Sequence, residues 1–220
     1  MAPAARKRAA TKRAAASRGR GRPTAHDGER TRQAILASAI HRFGRAGPAG
    51  VSMETIAADC DINVRAIYYH FASKQVLLEA AADEAFRRYG GEVVRRVFAH
   101  ADVRSRVRGY VEVHRALHAE DPDVLPFIGM FLVEAQGPAD LDQHPSAPRD
   151  ALRDFLGVVV DDAIARGEVS PDLDRDGALM LLGVIGMGLA LGSLGEPGPY
   201  PAMLDALELL NEGNLFVDPA

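Results

Sequence analysis

A single cysteine, Cys60, is all that the 220 residues contain. No disulfide can close within the chain, which suits a reducing, cytoplasmic setting. Cys60 itself reads as a small hydrophobe packed beside a turn. Acidic residues are missing from the first 25 positions, which hold Arg6, Lys7, Arg8, Lys12, Arg13, Arg18, Arg20 and Arg22. The rest of the chain has 18 basic against 30 acidic residues, so a net charge of −4 conceals a basic end at +8 and a remainder at −12. That asymmetry points to a polyanion such as nucleic acid, which the average charge would argue against. No apolar run follows the basic start, as a signal peptide would require. Strand-type alternation is absent, and every apolar pattern has helical spacing, so the expected fold class is all-α.

Catalytic constellations are lacking as well. No nucleophile–base pair, phosphate loop or complete metal set can be assembled. His114 and His118 share a helix face with Glu120 and Asp121 beyond them, but two imidazoles do not make a metal site. Gly183, Gly186 and Gly188 follow no strand, so they are not a nucleotide loop. An enzyme ranks last among the readings, and no cofactor or metal is expected.

What the chain does have is concentrated between Ser52 and Lys74. Met53, Ile56 and Ala57 recur at i, i+3, i+4, and Val64, Ile67, His70 and Phe71 at i, i+3, i+6, i+7. Ser52 and Asn63 stand where N-caps belong. Two short helices separated only by Cys60, Asp61 and Ile62 must cross steeply, as in a helix-turn-helix. Neither can bury enough surface alone, and Thr31–Phe43 offers a third helix through Ile35, Leu36, Ala39, Ile40 and Phe43.

Three runs carry a family resemblance: Thr31-Arg32-x-x-Ile35-Leu36-x-x-Ala39-Ile40-x-x-Phe43, then Gly47-x-x-x-Val51-Ser52-x-x-x-Ile56-Ala57, then Ala66-Ile67-Tyr68-Tyr69-His70-Phe71-x-x-Lys74-x-x-Leu77-Leu78. Over about residues 29 to 80 the chain resembles the N-terminal domain of TetR-type transcriptional regulators. The turn departs from the pattern, with Asp61 where the family usually has Gly; Asp tolerates the left-handed conformation better than most residues. The resemblance implies a three-helix DNA-binding head over residues 28–74 and a helical ligand-binding and dimerisation body over 75–220, about nine helices in all. A disordered basic arm spans residues 1–27.

By the same resemblance, Val64, Arg65 and Ala66 meet base edges in the major groove. Arg65 suits guanine O6 and N7, and the two small side chains suit thymine methyls. Ser52, Tyr68, Tyr69, His70 and Lys74 form the phosphate-contacting set. In the arm, Arg20-Gly21-Arg22-Pro23 is similar to the core of an AT-hook, with Arg20 and Arg22 aimed into a narrow A·T minor groove. The other reading of the arm is a basic tail without groove preference.

In the body, a long helix runs from Ser73 to about Ala99, with Gly90-Gly91 read as a kink or hinge that interrupts it. Further helices cover Val103–His118, Asp121–Gln136 and Arg149–Arg166, and residues 138–148 read as a loop. Gly177–Gly195 has no charge over 19 residues and six glycines. Its length would let it span a membrane, but no aromatic belts flank it and Asp172, Asp174 and Asp176 precede it as helix-start acids. With Met203–Leu210 it is expected to build a homodimer interface through Gly183, Met187, Leu191, Met203, Leu207 and Leu210. An apolar effector pocket is expected from Phe98, His114, Phe127, Met130, Phe131, Glu134, Phe155, Met180 and Met187. The expected protein is thus a cytoplasmic, nucleoid-associated repressor that binds palindromic double-stranded DNA as a homodimer and is released by a small, largely apolar effector. The alternative is an architectural, A/T-preferring DNA-binding protein without an inducer.

Overall fold

The computed structural model describes residues 25–134, 147–195 and 198–215. Among them are nine helices and no strand: α1 (Ala25–Ala46), α2 (Met53–Asp59), α3 (Val64–His70), α4 (Lys74–Val97), α5 (Val103–Glu120), α6 (Val124–Glu134), α7 (Ala147–Ala165), α8 (Arg175–Gly192) and α9 (Pro199–Glu212). The arm, with Arg20 and Arg22, lies outside the described residues, as does most of the expected loop at 138–148.

The first three helices form around the apolar stripe of α1. Ile35, Leu36, Ala39, Ile40 and Phe43 are buried together with Val51, Met53, Ile56, Ala57, Ile67 and Phe71. Local chemistry fixes the turns between them. Ser52 Oγ accepts from Thr55 N at the start of α2, and Asn63 Oδ1 from Ala66 N at the start of α3; each cap satisfies a backbone donor the helix cannot. Asp61 takes φ 52°, the one non-glycine residue described with positive φ, so the expected left-handed Asp61 turn is formed. Outside it, Asp59 is gripped by Arg42 (Nε–Oδ2 2.7 Å, Nη2–Oδ1 2.6 Å) and by Ser38 (2.8 Å). Those bonds hold its carboxyl down at about 2.

α4 begins three residues after α3 ends, capped by Ser73, and runs unbroken through Gly90 and Gly91 to Val97. The expected hinge is therefore not a break: the helix's own hydrogen bonds carry through. α4 packs on α1, α5, α6 and α7, which makes it the shared member of head and body. α1 also lies against α6, where a Cβ on Gly44 would stand 3.0 Å from Phe127 N. His41 Nδ1 meets Asp123 Oδ1 at 2.9 Å beside that contact. α6 in turn approaches α8 so closely that a Cβ on Gly129 would stand 2.6 Å from Ala190 O. α6 opens at Val124, after the turn holding Pro122 rather than at Asp121.

α8 is long and apolar enough to cross a membrane, with mean hydropathy 1.4. It is nonetheless tied into the body. Asp174 Oδ1 caps Gly177 N at 2.7 Å, Arg175 binds both oxygens of Asp161 on α7, and Leu189 and Ala190 are buried.

Candidate nucleic-acid interface and internal cavity

The core of the head uses Ile67 of α3, and this leaves the opposite side of a two-turn helix facing outward. Tyr69 is 86% exposed and Tyr68 49%; Arg65 is exposed in the first turn, with Val64 and Ala66 half-buried on either side. The three residues expected to read bases thus share one turn, and Arg65 reaches furthest from it. Of the expected phosphate set, Tyr68 and Tyr69 are free to project. His70 is half-buried and meets the Tyr69 ring edge-on at 5.3 Å. Ser52 is exposed while its Oγ serves the α2 cap. Lys74 differs from expectation: its ammonium is half-buried and donates to Pro48 O at 2.9 Å, with Val51 O at 3.4 Å. It closes the loop between α1 and α2, because the start of α4 lies beneath that loop's carbonyls.

A second feature lies inside the body. α4, α5, α7 and α8 line a partly open cavity of about 210 Å³. Val97 comes from α4, Val103, Arg106, Val107 and Tyr110 from α5, Phe155, Leu156, Val159, Val160 and Ala163 from α7, and Leu181, Leu182 and Ile185 from α8. The wall is almost wholly hydrocarbon, and Arg106 is its one charged residue. Arg106 is buried and already occupied. Its Nε donates to His100 O at 3.2 Å, and its Nη1 stands 2.6 Å from Asp162 Oδ2. Nη1 has no well-aligned hydrogen bond, but at that separation the charges neutralise one another whatever the angle. Bonding and charge from Arg106, reinforced by Arg166, lower the Asp162 carboxyl from its usual range.

Behind the cavity a buried polar chain crosses three helices. Tyr89 Oη of α4 donates to Tyr110 Oη at 2.8 Å and lies 3.1 Å from His114 Nε2, while His114 Nδ1 lies 2.7 Å from Tyr200 Oη of α9. Burial pushes His114 down to about 3 and raises all three tyrosine hydroxyls, so every member stays neutral at ordinary pH.

Of the nine residues expected in an effector pocket, the cavity includes Phe155 alone. Phe98 meets the Phe155 ring edge-on from outside, with centroids 4.7 Å apart. Phe127 and Phe131 belong to the core beneath α1 and α4, where Phe131 also meets Phe86. Met130 and Glu134 face another cleft, beside Arg45 and Gly47 at the end of α1. His114 sits one hydrogen bond behind Tyr89, and Met180 and Met187 project outward, 73% and 42% exposed. Core packing takes up the large apolar side chains. The cavity instead forms where Val and Ala leave space, which composition alone does not mark. One signal in the sequence does point to it: Tyr110 and His114, four residues apart, place two polar aromatics on one face of α5.

The expected dimer residues divide likewise. Gly183, Met187 and Leu210 are exposed, whereas Leu191, Met203 and Leu207 are half-buried, and Leu207 turns inward to the cavity.

Comparison with known proteins agrees with this geometry. Residues 35–81 match the family of bacterial regulatory proteins known as the tetR family. No curated protein matches the chain by sequence. Among solved structures, it is similar to a TetR transcriptional regulator from Chloroflexus aurantiacus J-10-fl, with 25% identity, TM-score 0.67, and 83% of this chain and 94% of that one covered. A putative transcriptional regulator from Saccharomonospora viridis in complex with choline shares 22% identity at TM-score 0.68, over 84% and 97% of the two chains. AibR in complex with isovaleryl coenzyme A and operator DNA shares 23% identity at TM-score 0.63, over 82% and 97%. With the α1–α3 head, the all-helical body behind it and these matches together, residues 35–81 form a tetR-family helix-turn-helix head, and the chain as a whole shares the fold of TetR-type transcriptional regulators.

Proposed function

We propose that the protein is a repressor that binds a palindromic operator as a homodimer and lets go when a small apolar molecule occupies the cavity between α4, α5, α7 and α8. The observation that carries this reading is the position of α4. It starts three residues after α3, the helix whose outer face presents Arg65, Tyr68 and Tyr69, and Val97 at its far end walls the cavity. A molecule that displaces the end of a rigid helix of 24 residues changes the angle at which α3 is held. Solved relatives with choline or with isovaleryl coenzyme A and operator DNA support a body of this shape holding small molecules. An effector that prefers the non-binding arrangement would weaken DNA affinity by about 1–3 kcal/mol of coupling.

The dimer is drawn from an outward stripe on α8. Met180, Val184 and Met187, with Gly183 among them, repeat at helical spacing, 73%, 60% and 42% exposed for the three side chains. Leu209 and Leu210 continue the apolar surface on α9. Two copies joined there would place their α3 helices on half-sites about one turn of DNA, ~34 Å, or a small multiple apart.

Selection of bound fragments from random DNA, followed by sequencing, tests the reading. One short palindrome is the expected product, both with residues 1–25 present and with them removed. Sequence-tolerant recovery of A·T-rich DNA that vanishes with residues 1–25 would assign binding to the basic arm and overturn it.

A further inference from the structure

The chain passes from head to body once, through the three residues between α3 and α4. A single link of that kind leaves the head free to rock about it, so contacts elsewhere set its angle. α1 supplies them on a face that its own core does not use. His41, Gly44 and Arg45 stand at i, i+3 and i+4 on that face, against the start of α6 rather than within the head.

The surface they meet is the turn Asp121-Pro122-Asp123 between α5 and α6. Asp123 Oδ1 lies 2.9 Å from His41 Nδ1 and 3.6 Å from Arg45 Nη2. Two residues earlier, Asp121 Oδ2 accepts from Arg88 Nη1 of α4 at 3.2 Å. Arg88 is itself steadied by the buried Glu84, which accepts from its Nε at 2.8 Å. The backbone of the turn is pinned as well, since Asp121 N donates to Leu117 O at 3.0 Å and Phe127 N to Asp123 O at 3.1 Å. Because α1 and α4 also pack on each other, the turn closes a triangle: α1 to Asp123, Asp121 to Arg88, and α4 back to α1. Three mutual attachments fix an angle that one leaves free. Apolar packing between α1 and α6 is non-directional, whereas paired charges and hydrogen bonds have one best register.

We infer that the turn from Asp121 to Asp123 is a strut that sets the angle of the DNA-reading head, with His41, Arg88, Asp121 and Asp123 as positioning residues for operator recognition although none lies on α3. The inference rests on the reading of a homodimer on a palindrome, in which the tilt of each head decides how far apart the two α3 helices stand. It also gives the cavity a second route to the head. α5 contributes Val103, Arg106, Val107 and Tyr110 to the cavity wall and ends beside Asp121, so a displaced α5 moves the strut.

Duplexes that carry two copies of the selected half-site, with the spacer lengthened or shortened by single base pairs, test it. Each base pair moves a half-site ~3.4 Å along the axis. The full chain is titrated against them beside Asp121→Ala/Asp123→Ala and His41→Ala. The wild type is expected to favour one spacer, and the double variant to lose roughly three- to tenfold of that discrimination. His41→Ala, which keeps both acids and the whole turn, should lose less. Affinity for a lone half-site, and base preference within it, should stay as in the wild type for both variants. Unchanged spacer discrimination would overturn the inference and leave the paired operator standing. So would an equal loss on the lone half-site, the mark of a head that is merely destabilised. A wild type without any spacer preference overturns the palindrome reading, and the strut falls with it.

Discussion

Arg65 and Lys74 show how differently two basic side chains of one small domain are employed. Arg65 projects from the first turn of α3, and Lys74 is folded back onto the carbonyls of Pro48 and Val51. Arg65→Ala should relax base preference at one position of each half-site by about 1–3 kcal/mol while leaving the melting temperature of the free protein unchanged. Lys74→Ala should lower both that temperature and the affinity for every sequence alike, because a loosened 47–51 loop misplaces α2 and α3 together. Binding measured across a set of single-base operator variants, alongside thermal melts, separates the two outcomes. His114 makes a prediction of its own. Its folded value near 3 is depressed below the ordinary 6.5 or so. Protons therefore bind the unfolded chain first as pH falls. Stability is fully present above about 6.5 and declines by ~1.4 kcal/mol per pH unit below it. The carboxylates Asp59 and Glu84, lowered from 3.8 and 4.5, lose their contribution only at lower pH, so the interval from pH 6.5 to 5 isolates the imidazole. Denaturant melts across it should slope for the wild type and flatten for His114→Gln.

Among the helices, glycine has opposite meanings in different places. Gly129 admits the backbone of α8, since a Cβ there would stand 2.6 Å from Ala190 O and 2.9 Å from Ala190 C. Neither atom can swing aside, so Gly129→Ala should force α6 from α8 and cost about 1–3 kcal/mol. At Gly90 and Gly91 an added methyl group would meet nothing within 4 Å. Both lie inside a continuous helix, so Gly90→Ala should add about 0.5–1 kcal/mol. Thermal melts of the two variants read both signs. The contrast also shows what a linear sequence can convey. The head was legible down to its caps and its Asp61 turn, because short helices are specified by neighbours within four residues. The all-α body was legible too, from spacing alone. The Gly90-Gly91 hinge was not, because a glycine pair weakens a helix without breaking it when α5 and α7 pack along its length. The cavity was least legible. Its wall of Val, Ala and Leu has the same periodicity as a filled core, and only the meeting of α4, α5, α7 and α8 leaves the middle open.

At the scale of the whole molecule, the outstanding imbalance is apolar surface. The head and the interior of the body bury their stripes, yet α8 turns Met180, Val184 and Met187 to the outside, on a helix otherwise anchored at both ends. A pairing of two copies through α8 and α9 would cover this face, and on the proposed reading it would make DNA affinity depend on association, since one head would contact only half of a palindrome. Val184→Glu tests that dependence cleanly. Val184 is 60% exposed in the single chain, so a carboxylate there is solvated and leaves the helical content and cavity intact in a free protomer. In a pair the same carboxylate is buried against hydrocarbon without a partner, at a cost of about 3–5 kcal/mol. Sedimentation should then show separate protomers at concentrations where the wild type is paired, and operator affinity should fall by two orders of magnitude or more, since ~1.4 kcal/mol is tenfold. Val94→Glu, on the exposed side of α4 at 50% and away from this face, should change neither. If Val184→Glu stays paired and keeps its operator affinity, the α8 stripe is not where two copies meet. The spacing of the two α3 helices would then have to be set by another surface.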